Sequence, residues 1–277
     1  FLPEAVIAAP KQGFAAPVPG KKTVMSYART ADELASSYGR GNHRAFVELK
    51  LAINNILLNA ETIHVTCPLG TSISGSASDS ERESLGEVSV RRFPLGVPLP
   101  LAASKMSGTV ALARYLTPTG SKTYDPPSVP IDGVVMAEVS QGRIVDFTGA
   151  PLAVECVRRH YRMVADKFGI DENIVHSFHA GIHPGSNYTK AAAEDPDRWS
   201  NSIFTNPRIL HFHTCGDYAP GEICWVLVDH TLSADSVKLW DNGRLCLDAF
   251  EKTRYCLEAW PELDAMAASP SQAIGIN

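Results

Sequence analysis

The feature that most constrains the fold is the succession of short apolar runs that fills the chain after residue 88. These runs have the length and β-branched content of strands, and turn residues separate them. They lie at 108–116, 133–149, 210–216, 222–232 and 236–250. One amphipathic stretch, 153–168, interrupts them; Val157, Tyr161 and Val164 share a helical face, and Gly169 follows as a terminator. The sequence therefore predicts a β-rich domain that carries one long packed helix.

Two turns within this region have the composition of hairpin turns. Gly142 lies in the segment "SQGR" between the apolar runs 133–140 and 144–149. The pair Asn242-Gly243 separates "SVKLW" from "RLCL", and Asn-Gly is the preferred pair for a type I′ turn. Both segments predict antiparallel pairs of neighbouring strands.

The first third of the chain has a different pattern. Residues 1–22 are rich in Pro, Ala and Gly and predict an extended arm, whereas residues 30–60 have helical spacing and Thr30 or Asp32 as an N-cap. A short strand in "TIHVTCPLGT", with Ile63 and Val65, follows, and the Ser- and Gly-rich segment 71–87 predicts a loop. We therefore predict an α/β protein with a small N-terminal α/β layer (1–90, including the arm) and a larger mixed, β-rich domain (91–277).

Composition excludes several classes of protein. The net charge of −5 gives no electrostatic basis for binding nucleic acid or an anionic membrane. No apolar run reaches the ~18 residues of a membrane span. The six cysteines form no Cys-x-x-Cys pair, so a reducing cytoplasm is the simpler prediction.

Histidine is concentrated in the β-rich part of the chain. Seven of the nine histidines fall between His160 and His230, in groups at 176–183, at 211–213 and at 230. Imidazole is the commonest protein ligand for transition metals, and its pKa near neutrality also suits acid–base catalysis. We therefore expect the groups to converge on one metal or one acid–base site.

The spacing within each group differs. His211 and His213 alternate on a predicted strand and should point to the same face. His179 and His183 are four residues apart, but Gly181 and Pro184 favour a turn there, so a shared ligand role does not follow from the spacing. The carboxylates that can join them are Asp235, Glu222 and Asp217, and a Cys–His nucleophile at Cys215 or Cys224 has no supporting signature.

Several ordered segments resemble the aminopeptidase T-type metallopeptidases and the related dihydroxypyridine ring-opening dioxygenases. The similarity extends from Ala60 to Leu247. It is carried by "AETIHVTCPLGTSISG", "FPLGVPLPLA" with "GTV", "GRIVDFTG", "HAGIHPGSN", "HFHTCGDY" and "DHTLSADSVKLWDNGRL". This resemblance implies a metal held by His179, His211 and His230. From the neighbouring polar residues we predict Asp235 as a replacement carboxylate, and His183, His213 and Glu222 as catalytic groups.

The segments also depart from the family pattern. Leu232 stands where the family has the aspartate of a His-x-Asp pair, Ser72 stands where it has Asp, and His183 stands where it usually has Asn. A two-metal peptidase site needs several carboxylates, and too few occupy matching positions. An oxygenase with one ion, held by histidines and one carboxylate, is therefore ranked above a peptidase.

The sequence thus predicts a metal-dependent enzyme acting on a small polar molecule, with ring-opening oxygenase chemistry on a hydroxylated (hetero)aromatic. The expected cofactor is a divalent metal, Fe(II) first and Zn or Mn as alternatives. A metal-dependent hydrolase, a metal-free histidine acid–base enzyme and a small-molecule binding protein remain as alternatives. The resemblance also implies a homo-oligomer.

Overall fold

The computed structural model describes residues 25–77, 92–118, 123–217 and 220–276. The helices of these residues are α1 (Ala31–Ala35), α2 (Ser37–Arg40), α3 (His43–Asn59), α4 (Pro151–Phe168), α5 (Pro196–Ile203), α6 (Glu251–Ala259) and α7 (Pro261–Ala268). The strands are β1 (Met25–Ser26), β2 (Ile63–Thr66), β3 (Ser72–Gly75), β4 (Arg92–Phe93), β5 (Leu101–Ala102), β6 (Ser107–Leu116), β7 (Val129–Ser140), β8 (Arg143–Gly149), β9 (Val175–Ala180), β10 (Ile209–Cys215), β11 (Glu222–Val228), β12 (Thr231–Ala234), β13 (Val237–Asp241) and β14 (Arg244–Leu245). This confirms the predicted mixed α/β class with a β-rich majority.

The larger sheet is antiparallel and contains strands from both ends of the sequence. Its order is β14-β13-β12-β2-β3-β6-β7-β8, so the early strands β2 and β3 lie between the late strand β12 and the middle strand β6. The predicted boundary near residue 90 lies outside the described residues, and the division into 1–90 and 91–277 stays a prediction.

The smaller sheet is antiparallel and has the order β11-β10-β9-β5. One face packs towards α4, where the Trp225 indole N–H donates to the Tyr161 hydroxyl at 2.6 Å. The other face contributes Ile209 to a second core cluster that contains Trp199 and Ile203 of α5. This sheet is therefore covered on both faces, and its side chains are removed from water.

The N-terminal part differs from the prediction in two places. The helical stretch 30–60 is divided into three helices, because Ser36 ends α1 and caps α2, and Asn42 caps α3 by accepting from the Arg44 N–H at 3.1 Å. The first part of the predicted loop 71–87 is the strand β3, with Ile73 fully buried. Pairing with β2 and β6 thus outweighs the Ser-rich composition there. The arm 1–22 and the rest of that loop, from residue 78, lie outside the described residues.

The predicted apolar run 222–232 is not a single strand, because it is divided into β11 and β12, which lie in different sheets. The predicted long helix and the two hairpin turns are confirmed. Helix α4 ends at Gly169, which is left-handed (φ 64°), and β7 and β8 form a hairpin around Gly142. Asn242 and Gly243 have φ values of 48° and 76°, as a type I′ turn requires. All six cysteines are free. Among the described residues, none of the helices combines the length and the apolar character needed to cross a bilayer.

Substitution of Gly243 by alanine should destabilise the protein more than the same change at Gly133. Both glycines have φ near +75°, but a Cβ at Gly243 would lie 2.9 Å from the Arg208 Cα, whereas nothing lies within 4 Å at Gly133. We expect Gly133→Ala to cost about 1 kcal/mol of unfolding free energy. Gly243→Ala should cost roughly 2–4 kcal/mol, since contact with backbone adds to the strain. Urea denaturation of both variants measures the difference, and equal losses would contradict it.

Candidate metal centre

Three of the histidines meet on one face of the smaller sheet. His211 and His213 alternate along β10, and His179 on β9 is the cross-strand partner of His211. Side chains two apart on a strand, and side chains directly opposite across an antiparallel pair, point to the same face. The sheet register therefore gathers the three imidazoles, and their ligand atoms all lie within 4.8 Å of one another.

The Nε2 atoms are the ones that converge. His179 Nε2 lies 2.6 Å from His211 Nε2 and 3.2 Å from His213 Nε2. The three rings are tilted by 48° to 66° against one another, and their centroids are 4.1 to 5.1 Å apart. The Nε2 atoms of His211 and His213 thus both approach Nε2 of His179, and the rings do not stack.

Glu222 contacts this group from the neighbouring strand. His213 pairs with Cys224 across β10 and β11, so Glu222, two residues before Cys224, is its diagonal neighbour on the same face. The Glu222 carboxylate and His213 Nδ1 form a short hydrogen bond, and Glu222 is 2% exposed. A buried carboxylate next to an imidazole fixes the orientation of the ring.

The partners of Nδ1 fix the protonation of two rings. The Pro98 carbonyl lies 3.3 Å from His179 Nδ1 and can only accept, so that nitrogen carries the proton. A carboxylate also only accepts, so His213 Nδ1 donates to Glu222. When both rings are neutral, the two Nε2 atoms are bare lone pairs that face each other at 3.2 Å. A proton on His211 Nε2 can satisfy His179, but it leaves His213 facing a lone pair.

A divalent ion fits this arrangement. Metal–imidazole bonds of about 2.0–2.1 Å put two neighbouring ligand nitrogens roughly 2.9–3.4 Å apart. The 3.2 Å separation of His179 and His213 lies in this range, and the 2.6 Å separation from His211 reaches it after a small ring rotation. Histidine ligands normally donate their second ring N–H to a carboxylate or a carbonyl, as His213 and His179 do here. In His211 the corresponding nitrogen is Nδ1, which has no hydrogen-bond partner among the described residues.

Burial keeps His179 and His211 neutral. His179, His211 and His213 are 4%, 2% and 5% exposed. Loss of hydration lowers the pKa of His179 and His211 far below the ordinary histidine value, and the positive charge of Arg92 acts in the same direction on both. Neutral imidazole is the form that binds a metal.

The other predicted site residues lie in different surroundings. His183 stacks on Phe46 with ring centroids 4.0 Å apart, and the Tyr38 ring meets it edge-on. His230 is fully buried and lies 5.9 Å from the Trp240 ring. Asp235 accepts from the Thr62 N–H at 2.9 Å, where β2 begins. The structure does not bring these three residues into the group of His179, His211 and His213.

Two further contacts to the group were not predicted from the sequence. The Pro98 carbonyl and the Phe204 ring, whose centroid is 5.5 Å from that of His211, have no pattern that marks them. Cys215, considered as a nucleophile, is also buried, and burial raises the pKa of its thiol to about 12. That pKa keeps the thiol protonated at neutral pH.

The Glu222→Gln variant should bind a divalent metal about 10- to 100-fold more weakly than the wild type. The amide keeps the size of the side chain but removes the charge that holds the proton on His213 Nδ1. Isothermal titration with Zn²⁺ measures the change. Glu138→Gln is the matched control, because Glu138 is exposed on β7. Unchanged affinity in Glu222→Gln would show that this carboxylate does not act on the site.

Comparison with known proteins finds similarity at the level of structure. The structure of 2,5-dihydroxypyridine dioxygenase from Pseudomonas putida matches with a TM-score of 0.50 and 16% identity, over 76% of this chain and 61% of that one. Wild-type AmpT from Thermus thermophilus matches with a TM-score of 0.42 and 11% identity, over 73% and 55%. The chain thus spans about three-fifths of the dioxygenase and just over half of AmpT. No protein-family model and no curated protein sequence matches it. At this identity the chain shares a fold with the dioxygenase.

Proposed function

We propose that this chain is a metal-dependent enzyme whose ion is bound by His179, His211 and His213, and that it opens the ring of a hydroxylated heteroaromatic. The observation that carries the metal site is the convergence of three buried imidazoles, in which the Nε2 atoms of His179 and His213 lie 3.2 Å apart. Two lone pairs repel at that distance unless a cation or a proton lies between them. The reaction class comes from the dioxygenase with which the chain shares its fold.

The residues of the chain have separate roles in this proposal. Glu222 keeps the proton on His213 Nδ1, and the Pro98 carbonyl keeps the proton on His179 Nδ1, so both Nε2 atoms stay available. Phe204 covers one edge of His211 and excludes water on that side. The three imidazoles would hold the ion, which would supply Lewis-acid and redox chemistry for the reaction of the substrate with dioxygen.

A metal-dependent hydrolase is the second candidate, and one observation favours it. Three histidines without a directly bound carboxylate are also a known ligand set of catalytic zinc, in which the ion activates water. Turnover restored by Fe(II) would support the oxygenase, and turnover restored by Zn would support the hydrolase. Mn is compatible with the ligands of either enzyme. The metal that restores turnover therefore separates the two functions.

Reconstitution of the purified chain with Fe(II), Mn(II) and Zn(II), each alone and without oxygen, tests the proposal. We expect one ion per chain by mass spectrometry, and oxygen consumption with 2,5-dihydroxypyridine or a related heteroaromatic in the Fe(II) sample. Hydrolysis of peptide p-nitroanilides in the Zn(II) sample, without oxygen consumption, would support the second candidate. A chain that retains no ion would overturn both, and leave a metal-free acid–base enzyme or a binding protein.

A further inference from the structure

Two aromatic rings connect Arg92 to the metal centre. Its guanidinium carbon is 5.7 Å from the centre of the Tyr27 ring. The Tyr27 ring meets Phe204 edge-on at 4.8 Å, and Phe204 meets His211 edge-on at 5.5 Å. A continuous row of contacting groups therefore runs from Arg92 to the imidazole of His211.

The guanidinium of Arg92 has an unused donor. Its Nε is buried, and none of the described residues accepts a hydrogen bond from it. A guanidinium presents five N–H donors in a planar fork that matches the two oxygens of a carboxylate or phosphate. Leaving such a donor buried without an acceptor is costly, and the oxygen of a bound oxyanion would satisfy it.

The charge balance of the centre points to the same conclusion. Three neutral imidazoles add no negative charge to a divalent ion, and among the described residues Glu222 is the carboxylate that contacts the histidine group. Arg92 adds a positive charge that is felt at both His179 and His211. The loaded centre thus has an excess of positive charge in a site of low dielectric constant, which an anion would neutralise.

We propose that Arg92 binds an oxyanion of the substrate, a carboxylate or a phosphate, while another part of the substrate lies at the ion held by His179, His211 and His213. This inference rests on the proposed function and narrows its substrate class. The substrate is then an aromatic or similar small molecule that carries an acidic substituent in addition to the group that reacts.

Binding of three aromatic probes to the Zn(II)-loaded full chain tests the inference. The probes are benzoate, phenyl phosphate and benzamide, which differ in charge but share the ring. We expect benzoate or phenyl phosphate to bind at least about tenfold more tightly than benzamide, because a charged partner strengthens the hydrogen bonds of the guanidinium. The better of the two anions identifies the oxyanion. Calorimetry measures affinity, and metal analysis runs on the same samples.

The Arg92→Gln variant should lose most of the preference for the anion and retain its metal. Arg254 is exposed on α6, and the control variant Arg254→Gln should keep both the anion preference and the metal. Arg92→Lys keeps the charge without the fork and should give an intermediate preference, which decides the matter if Arg92→Gln fails to fold. Loss of metal from the wild type would refute the proposed function. Retained metal with no anion preference, or with a preference that the Arg92 variants leave unchanged, would refute this inference alone.

Discussion

Replacement of His211 by alanine should abolish stoichiometric metal binding and all turnover. His211 Nε2 lies 2.6 Å from His179 Nε2, so the variant removes one of three converging ligands. Two imidazoles from a single pair of strands cannot enclose an ion that three can hold. We expect metal analysis after dialysis to find a full equivalent in the wild type and almost none in the variant.

His64→Ala is the matched control for this experiment. His64 is exposed on β2 and makes a 3.3 Å contact with Ser72, away from the smaller sheet. It should keep its metal and its activity. If His211→Ala retained a full equivalent of metal, the ion would have to bind elsewhere, and the site proposed on β9 and β10 would be wrong.

Acidification should unfold the protein well above the pH at which its carboxylates are protonated. Burial lowers the pKa of His183 and His230 to about 3 and that of His160 to about 4. These three rings stay neutral in the folded chain but take up protons in the unfolded chain below pH ~6.5. Their contribution to the unfolding free energy is therefore complete above pH ~6.5. It is lost progressively as the pH falls towards the pKa values that these rings have in the folded chain.

The size of this effect is considerable. Each of the three histidines lowers the unfolding free energy by about 1.4 kcal/mol per pH unit in that window, so together they remove roughly 4 kcal/mol per unit. A domain has only about 5–15 kcal/mol of stability. We therefore expect a steep loss of stability between pH 6.5 and 5, measured by urea denaturation at several pH values.

His160→Gln is the variant that tests the cause. The ring of His160 packs 5.6 Å from Tyr124, and its buried Nε2 has no partner among the described residues. Glutamine does not titrate, so the slope of unfolding free energy against pH should be shallower in this variant by about 1.4 kcal/mol per pH unit. An unchanged slope would assign the acid sensitivity to other groups.

The sequence was sufficient to predict elements whose pattern is local. Helix α4 follows from the apolar stripe of Val157, Tyr161 and Val164, and the β13–β14 turn follows from Asn242-Gly243. It was insufficient for β3, where Ser72–Gly75 forms a strand between β2 and β6. The conformation of that segment depends on pairing between strands that are distant in sequence, and local composition does not indicate this pairing.

The candidate site likewise could be predicted only where it depends on a local sequence pattern. The alternation of His211 and His213 predicted a shared face, and the structure confirms it. The register of β9, β10 and β11 places His179 opposite His211. The same register places Glu222 diagonal to His213. The resemblance to metallopeptidases and dioxygenases favoured His230 and Asp235 as ligands, and the structure places both in other surroundings.

Phe178 and Phe212 lie directly opposite each other on β9 and β10, between the histidines in sequence and on the reverse side of the sheet. A slip of one residue would exchange the two sides and send both phenyl rings among the imidazoles. Burial of the two phenyl rings therefore fixes the register of β9 and β10. This register brings the imidazoles together before a metal ion binds. Metal uptake should then be quick and should leave the circular dichroism of the backbone unchanged.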